Sequence, residues 1–100
     1  MNIQFAKENE TDIAVISGRV DTTNAAELEK AVAPFWEKEK ASLIFECKDM
    51  DYISSSGLRV LLKTHKMLTG KGGTFAVRNL VREVRNIIDL TGFSKILTIY

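Results

Sequence analysis

Three consecutive hydroxyl side chains, Ser54, Ser55 and Ser56, stand before Gly57 in the stretch YISSSGLRVLL, where a strand-like pattern gives way to a helical one. A helix that begins near Ser55 leaves its first N–H groups without intrahelical partners, and a serine hydroxyl can accept a hydrogen bond from one of them. Because the same helix end carries a partial positive charge, it can also accommodate a phosphate monoester. The stretch therefore predicts a helix cap, a phosphorylation switch, or both.

A phosphate on one of these serines would place a charge of about −1.5 to −2 on a formerly neutral surface. Such a charge is sufficient to weaken a partner interface by desolvation or repulsion. A cap uses one hydroxyl only, so capping alone leaves two of the three serines without a role.

Ser55, His65 and one of Asp49 or Asp51 have the side chains of a hydrolytic triad. Along one helix, however, Ser55 and His65 would lie roughly 15 Å apart, far beyond hydrogen-bond reach. The serine stretch also lacks the G-x-S-x-G spacing of a nucleophile elbow. We therefore predict no catalytic residue and no enzymatic activity, and we interpret His65 as a partly buried packing residue.

The sequence also lacks the patterns that are typical of cofactor and metal sites. The segment TGKGGT lacks the G-x-x-x-x-G-K-[ST] pattern and joins a helix to a strand, the reverse of a phosphate loop. No His, Cys or carboxylate cluster has the spacing of zinc ligands, and Asp49 and Asp51 are too few for a calcium loop. The single cysteine, Cys47, lies in the apolar run LIFEC, which predicts a buried reduced thiol. We predict neither a cofactor nor a metal.

Length and charge limit the class of protein. One hundred residues are enough for one domain, 1–100, with one modest core. The formal net charge of +1, from 14 basic and 13 acidic residues, provides no general attraction for nucleic acid or an anionic membrane. Neither a signal peptide nor a membrane-spanning apolar run is present in the sequence. We expect a soluble, cytoplasmic monomer that recognises its partners locally.

Apolar periodicity predicts five strands and three helices. The strands are predicted at residues 3–5 and 13–17, which form a hairpin that Gly18 ends, and at SLIFEC, TFAVRN and KILTIY. The segment KDMDYISSSG is predicted to be a loop. Helices are predicted from about residue 25, over about residues 55–69, and around Val81, Val84 and Ile88, before Gly92. The order ββαβαβαβ predicts an α/β domain with a mixed β-sheet and helices packed on it.

The first predicted helix has a core stripe and an irregular end. The stripe is Ala25, Leu28, Val32 and Phe35. Asp21, Thr22 or Thr23 can cap its start. Pro34 removes a backbone donor and clashes with the preceding turn, so we expect a kink or loosening near Ala33.

The second predicted helix has two apolar faces. Its core stripe is Leu58, Leu61, Leu62 and Leu68. Val60 and Met67 fall on another face, seven residues apart, and they bracket Lys63 and Thr64. We expect Val60 and Met67 to be exposed beside the serines and to form a docking face.

Three segments are informative when taken together: VISGRVDTTNAAELEKAV, LIFECKDMDYISSSGLRVLLKTHKML and LVREVRNIIDLTGFSKILTIY. Together they resemble a STAS domain, in particular the bacterial anti-sigma factor antagonists. The resemblance implies that Ser55 is the phosphoacceptor. Many members of this family carry Asp where this chain has Ser54, and Gly where it has Arg59. Arg59 lies one helical turn after Ser55, close enough to pair with a phosphate there.

The resemblance also implies a partner surface around Ser55. Gly18-Arg19-Val20-Asp21 matches a family segment that leads into the first helix, so Asp21 either faces a partner or a nucleotide, or caps that helix. The predicted partner-binding residues are Asp21, Thr22, Ser54, Ser56, Gly57, Arg59, Val60, Lys63 and Met67.

In this family the unphosphorylated antagonist binds an anti-sigma factor that is also an ATP-dependent serine kinase, and this binding frees the sigma factor. Phosphorylation ends the binding, and a serine phosphatase restores it. The resemblance implies the same partner switching here, with Ser55 as the switch. The alternatives are a stand-alone STAS subunit of a transport or envelope system, and an anion- or nucleotide-sensing module.

Overall fold

The computed structural model describes residues 1–100 and contains five strands, three helices and one short 3₁₀ turn. In chain order they are β1 (Asn2–Glu8), β2 (Thr11–Val20), α1 (Ala25–Trp36), β3 (Ser42–Ile53), α2 (Ser55–Gly70), β4 (Thr74–Arg78), α3 (Arg82–Leu90), the 3₁₀ turn (Phe93–Lys95) and β5 (Thr98–Ile99). The predicted order ββαβαβαβ is confirmed. None of the helices has the length and apolar composition that a membrane crossing requires.

The five strands form one mixed sheet in the order β1-β2-β3-β4-β5. The hairpin strands β1 and β2 are antiparallel, whereas β2–β3, β3–β4 and β4–β5 are parallel. Each parallel pair is connected through a helix, as such connections require. The predicted α/β fold with a mixed sheet is therefore confirmed.

Strands β2 and β3 are longer than the sequence predicts. β2 continues beyond Gly18, which has a φ of +84° and lies at an irregularity in the pairing with β3. A glycine adopts this left-handed conformation at little cost, so the strand bends there instead of ending. The predicted loop over residues 48–53 is part of β3, because these residues pair with the end of β2.

The two ends of the sheet also differ from prediction. The hairpin pairs out to Glu8 and Thr11, which leaves a two-residue turn in which Asn9 has a φ of +56°. At the carboxyl end, only two residues of KILTIY form a strand. The N–H groups of Lys95 and Ile96 donate to carbonyls of the preceding turn, so they are not available to the sheet.

One hydrophobic cluster joins the three helices to strands β2, β3 and β4. From α1 it takes Leu28, Val32 and Trp36, so Trp36 occupies the core position that we predicted for Phe35. The ring of Phe35 packs instead on Phe5 of β1, with 5.7 Å between ring centroids. The helix passes Pro34 and ends two residues later at Trp36.

The buried face of α2 differs from the predicted stripe. Val60 is only 4% exposed, so the prediction of an exposed Val60 is wrong. Leu62, which was predicted for the core stripe, is half-buried. The buried face is shifted toward Val60 because it includes Thr64, a fully buried residue that the apolar pattern did not include. Its hydroxyl donates to the carbonyl of Val60 at 2.7 Å and accepts from the indole Nε1–H of Trp36 at 3.1 Å. With its polar group satisfied, Thr64 extends the buried face of α2 toward α1.

An ion-pair network connects distant strands through Arg78. Its guanidinium donates to Glu46 of β3 at 2.7 Å and to Glu8 of β1 at 2.8 Å. The carboxylate of Glu46, a largely buried side chain, also accepts from the Asn79 side chain and the backbone N–H of Lys48. Burial alone would raise the pKa of Glu46, but these hydrogen bonds outweigh it and lower that pKa.

Cys47 is fully buried, as predicted. Burial, with a smaller contribution from neighbouring Glu46, raises the pKa of its thiol to about 12. The thiol therefore stays protonated at neutral pH and has little nucleophilic character.

Candidate functional site

The candidate site lies where β2 and β3 end side by side. Val20 pairs with Ile53 at the last position of both strands, and the N–H of Ser54 donates to the carbonyl of Val20 at 2.9 Å. The loop after β2 and the first turn of α2 consequently lie next to each other. This arrangement brings the loop that carries Asp21 and Thr22 next to residues 54–57, which the resemblance assigned to the same partner surface.

The three serines have different environments. Ser54 is the N-cap residue of α2, with extended backbone geometry, and its Oγ accepts a hydrogen bond from the N–H of Gly57 at 3.2 Å. Ser54 is only 8% exposed, Ser56 is half-buried, and Ser55 is exposed. The helix cap that the serine stretch predicts is present, and Ser54 provides it.

Gly57 is required by the close approach of α2 to the sheet. A Cβ atom built on Gly57 would lie 2.7 Å from Cγ1 of Ile53 and 2.8 Å from Cγ1 of Val20. Both neighbours are buried, so neither can move away without disturbing the core. Gly57 therefore positions the first turn of α2, and with it the hydroxyl of Ser55.

Asp21 organises the loop before α1 but does not cap that helix. Its carboxylate accepts from the backbone N–H and the hydroxyl of Thr23, at 2.9 and 2.6 Å. The N-cap position of α1 is Asn24, which makes no side-chain cap; its Oδ1 accepts from the N–H of Asp21 instead. The predicted cap by Asp21, Thr22 or Thr23 is therefore wrong. The hydrogen bonds from Thr23 hold the pKa of Asp21 below its ordinary value, so this carboxylate is a fixed negative charge.

Arg19 is a site residue that the sequence did not single out. Its guanidinium lies 4.0 Å from the centre of the Tyr52 ring, and its Nε is 3.4 Å from the Asp21 carboxylate. Arg19 and Tyr52 are paired across β2 and β3. Since that pairing depends on two irregularities in the register, the sequence alone carried no signal for the contact.

A shallow groove of about 300 Å³ runs between the first turns of α1 and α2; we call it the N-terminal groove. Its lining residues are Thr22, Ala25, Ala26, Glu29, Ser56, Arg59 and Val60. The structure thus brings together four of the predicted partner residues, which are Thr22, Ser56, Arg59 and Val60. Of these, Val60 is buried where α2 packs against α1. Glu29 is the one acidic side chain of the groove, and Arg59 is the one basic side chain.

The remaining predicted residues, Lys63 and Met67, lie farther along α2. The Nζ atom of Lys63 lies 4.8 Å above the centre of the Trp36 ring, so this exposed lysine also covers the contact between α1 and α2. Met67 is half-buried and packs against the hydrophobic core. Neither residue belongs to the N-terminal groove.

The sequence as a whole matches known proteins. The family model described as "STAS domain" matches residues 2–100. The chain is 37% identical to the anti-sigma-B factor antagonist of Bacillus subtilis (strain 168), over 99% of this chain and 92% of the relative. It is 28% identical to the anti-sigma F factor antagonist of Paenibacillus polymyxa, over 100% of this chain and 88% of the relative.

The fold also matches solved structures. An anti-sigma factor antagonist from Mycobacterium paratuberculosis superposes with a TM-score of 0.88 at 24% identity, covering 99% of this chain and 84% of that one. The Bacillus cell fate determinant SpoIIAA, at 16% identity, superposes over 99% of this chain in both of its forms. The TM-score is 0.81 for the unphosphorylated form, covering 88% of that chain, and 0.74 for the phosphorylated form, covering 91%.

Proposed function

The chain belongs to the STAS domain family and, within it, to the anti-sigma factor antagonists, and from this premise we propose how its serine stretch works. The unphosphorylated protein binds an anti-sigma factor and thereby frees a sigma factor. The anti-sigma factor is also a serine kinase, which phosphorylates Ser55 and so ends the binding. A serine phosphatase restores the unphosphorylated form. The protein acts in the cytoplasm and has no catalytic activity of its own.

The observation that carries this proposal is the difference in exposure among the three serines. The hydroxyl of Ser54 is engaged in the cap and is buried, whereas Ser55 projects from the first turn of α2 as an exposed residue. A kinase can reach an exposed hydroxyl without unfolding the helix end. Ser55 is therefore the acceptor that costs least to modify.

The location also supports a switch that acts on binding more than on folding. A phosphate at a helix N-terminus is stabilised by the helix dipole and by free N–H groups. A partner docked over the same turn must instead desolvate that charge. SpoIIAA has been solved in an unphosphorylated and a phosphorylated form, and both forms share this fold.

The partner surface that we propose surrounds Ser55 and includes Asp21, Thr22, Ser56 and Arg59. Thr22, Ser56 and Arg59 line the N-terminal groove, and Asp21 lies in the adjoining loop as a fixed carboxylate. A partner that reads this surface meets a neutral Ser55, a carboxylate and a guanidinium. Phosphorylation of Ser55 makes the surface more negative.

A phosphorylation assay tests the proposal. The purified protein is incubated with ATP and the anti-sigma factor kinase encoded in the same genome, and the modified residue is identified by peptide mass. We expect one phosphate, on Ser55. Ser55→Ala should accept none while still binding the kinase, and the matched control Ser56→Ala should still accept one phosphate, on Ser55. Phosphate on Ser54 or Ser56, with Ser55 untouched, would overturn the assignment.

Arg59 offers a second test of the same switch. Ser55→Asp should bind the kinase more weakly than the parent protein, although one carboxylate imitates phosphate incompletely. If Arg59 only neutralises the phosphate, Arg59→Ala should leave unmodified binding unchanged and make phosphorylation more damaging to binding. If Arg59 instead pairs with the partner, Arg59→Ala should weaken binding of the unmodified protein and reduce the further loss on phosphorylation. The comparison is made by calorimetry on the modified and unmodified protein, with and without the substitution.

A further inference from the structure

The outer side of α2 carries a second and larger groove, of about 850 Å³, which we call the α2 groove. Its principal lining residues are Arg59, Leu62, Lys63, Lys66, Met67 and Ile96. Leu62, Met67 and Ile96 provide an apolar surface, and Ile96 is 52% exposed although it is a large apolar residue. Ile96 thus extends the half-buried apolar surfaces of Leu62 and Met67 at the edge of the groove.

The charges of the α2 groove all have one sign. Arg59, Lys63 and Lys66 lie one helical turn apart along α2, and no acidic residue lines the groove. No ion pair involves any of these three cations. In a chain whose overall net charge is only +1, this is a local concentration of positive charge beside apolar surface.

We propose that the α2 groove binds an acidic amphipathic helix of a partner protein. This inference rests on the proposed function in one respect, that the natural source of the helix is the regulator which also reads Ser55. The lining runs from Arg59 to Thr69, roughly 15 Å along the α2 axis, which matches about three turns of a second helix. Leucine-type side chains of that helix contact Leu62, Met67 and Ile96, and its acidic side chains pair with Arg59, Lys63 and Lys66.

Arg59 links this groove to the switch, because the same side chain lines the N-terminal groove beside Ser56. A phosphate on Ser55 would compete with the acidic helix for this guanidinium. The partner therefore loses an ion pair at the end of its docked helix nearest Ser55, while the contacts farther along α2 stay intact.

A synthetic peptide tests the groove without any kinase. The probe has about 14 residues, with leucines at i, i+4, i+7 and i+11 and glutamates on the flanking positions. Binding to the full chain is measured by fluorescence anisotropy. We expect saturable binding that weakens when the ionic strength rises from about 0.05 to about 0.3 M. A peptide of the same composition, with its leucines scattered around the helix, and a peptide with lysine in place of glutamate should bind about tenfold more weakly.

Two surface variants locate the binding. Lys66→Glu combined with Ile96→Ser should weaken peptide binding at least about tenfold. The matched control is Lys30→Glu combined with Leu90→Ser, which changes an exposed lysine and an exposed leucine outside the groove. Cooperative melting of both variants shows that they are folded.

The proposal fails if the control weakens the peptide as much as the groove variant does, or if the lysine peptide binds equally well. It also fails if vesicles of anionic phospholipid bind through Lys66 and Ile96 while the acidic peptide does not. None of these outcomes depends on phosphorylation, so the α2 groove and the Ser55 switch can fail separately.

Discussion

The hydroxyl of Ser54 accepts a hydrogen bond from the N–H of Gly57 at 3.2 Å, so Ser54, and not the neighbouring Ser55, caps α2. Ser54 closes the first turn of α2 from a buried position, which leaves Ser55 exposed. The same turn depends on Gly57, because the strands behind it leave no space for a Cβ atom.

Loss of the cap should cost stability, whereas loss of the switch serine should not. We expect Ser54→Ala to lower the free energy of unfolding by about 1 kcal/mol, since the N–H of Gly57 loses its acceptor. Ser55→Ala should change it by less than about 0.5 kcal/mol, as is usual for an exposed position. Urea unfolding measures both values. Equal losses in the two variants would contradict the division of tasks between these serines.

Gly57→Ala should destabilise the protein although alanine favours helices. The new methyl group would approach Cγ1 of Ile53 and Cγ1 of Val20 to less than 3 Å, and we expect a cost of about 1–3 kcal/mol from this overpacking. Gly70→Ala, in the same helix, is the matched control. It meets no atom within 4 Å and does not have a positive φ, so alanine there should be stabilising by about 0.4–1 kcal/mol. Thermal melting distinguishes the two, and a stabilised Gly57→Ala would show that the contact relaxes freely.

Element order and most of the core were predictable because both depend on local apolar periodicity. Leu28 and Val32 in α1, and Val84 and Ile88 in α3, are buried as their spacing predicts. The buried side of α2 was less predictable, because Thr64 is polar in sequence and becomes a core residue only through its partner Trp36, 28 residues away. A pattern within one helix contains no information about such a partner.

The site was predictable in its residue types but not in its geometry. The motif identified Ser54, Ser55 and Ser56 together, and only the backbone conformation at Ser54 determines which hydroxyl turns back toward Gly57. The length of β3 was underestimated because Lys48, Asp49 and Asp51 have the composition of a loop. They remain in the strand because β2 continues beside them, which is a long-range pairing.

Val60→Asp should unfold the domain, in agreement with the burial of Val60 and contrary to an exposed docking role. The carboxylate would enter the contact between α1 and α2 without a partner, at a cost of roughly 3 kcal/mol or more. Lys66→Asp is the control, because it adds a carboxylate to an exposed position of the same helix. Circular dichroism melts compare the variants, and a cooperative transition near the parent temperature for Val60→Asp would refute the packing described for α2.

Arg78→Met should weaken the protein most at neutral pH. Glu46 has a folded-state pKa below its unfolded value, so its ion pair contributes stability above about pH 4.3, which is lost as the pH falls through the folded-state pKa. Without the Nε–H of Arg78, the buried carboxylate keeps only Asn79 and the N–H of Lys48, and its pKa rises. We expect the free energy of unfolding to be lower by about 1.5–3 kcal/mol at pH 7, a deficit that narrows between about pH 5 and pH 3.

Arg85→Met, which breaks the exposed pair with Asp89, is the control and should lower the free energy of unfolding by at most about 0.5 kcal/mol. Urea unfolding across this pH range decides the matter, since a deficit that stays constant would mean that Arg78 acts through packing and not through the ionisation of Glu46.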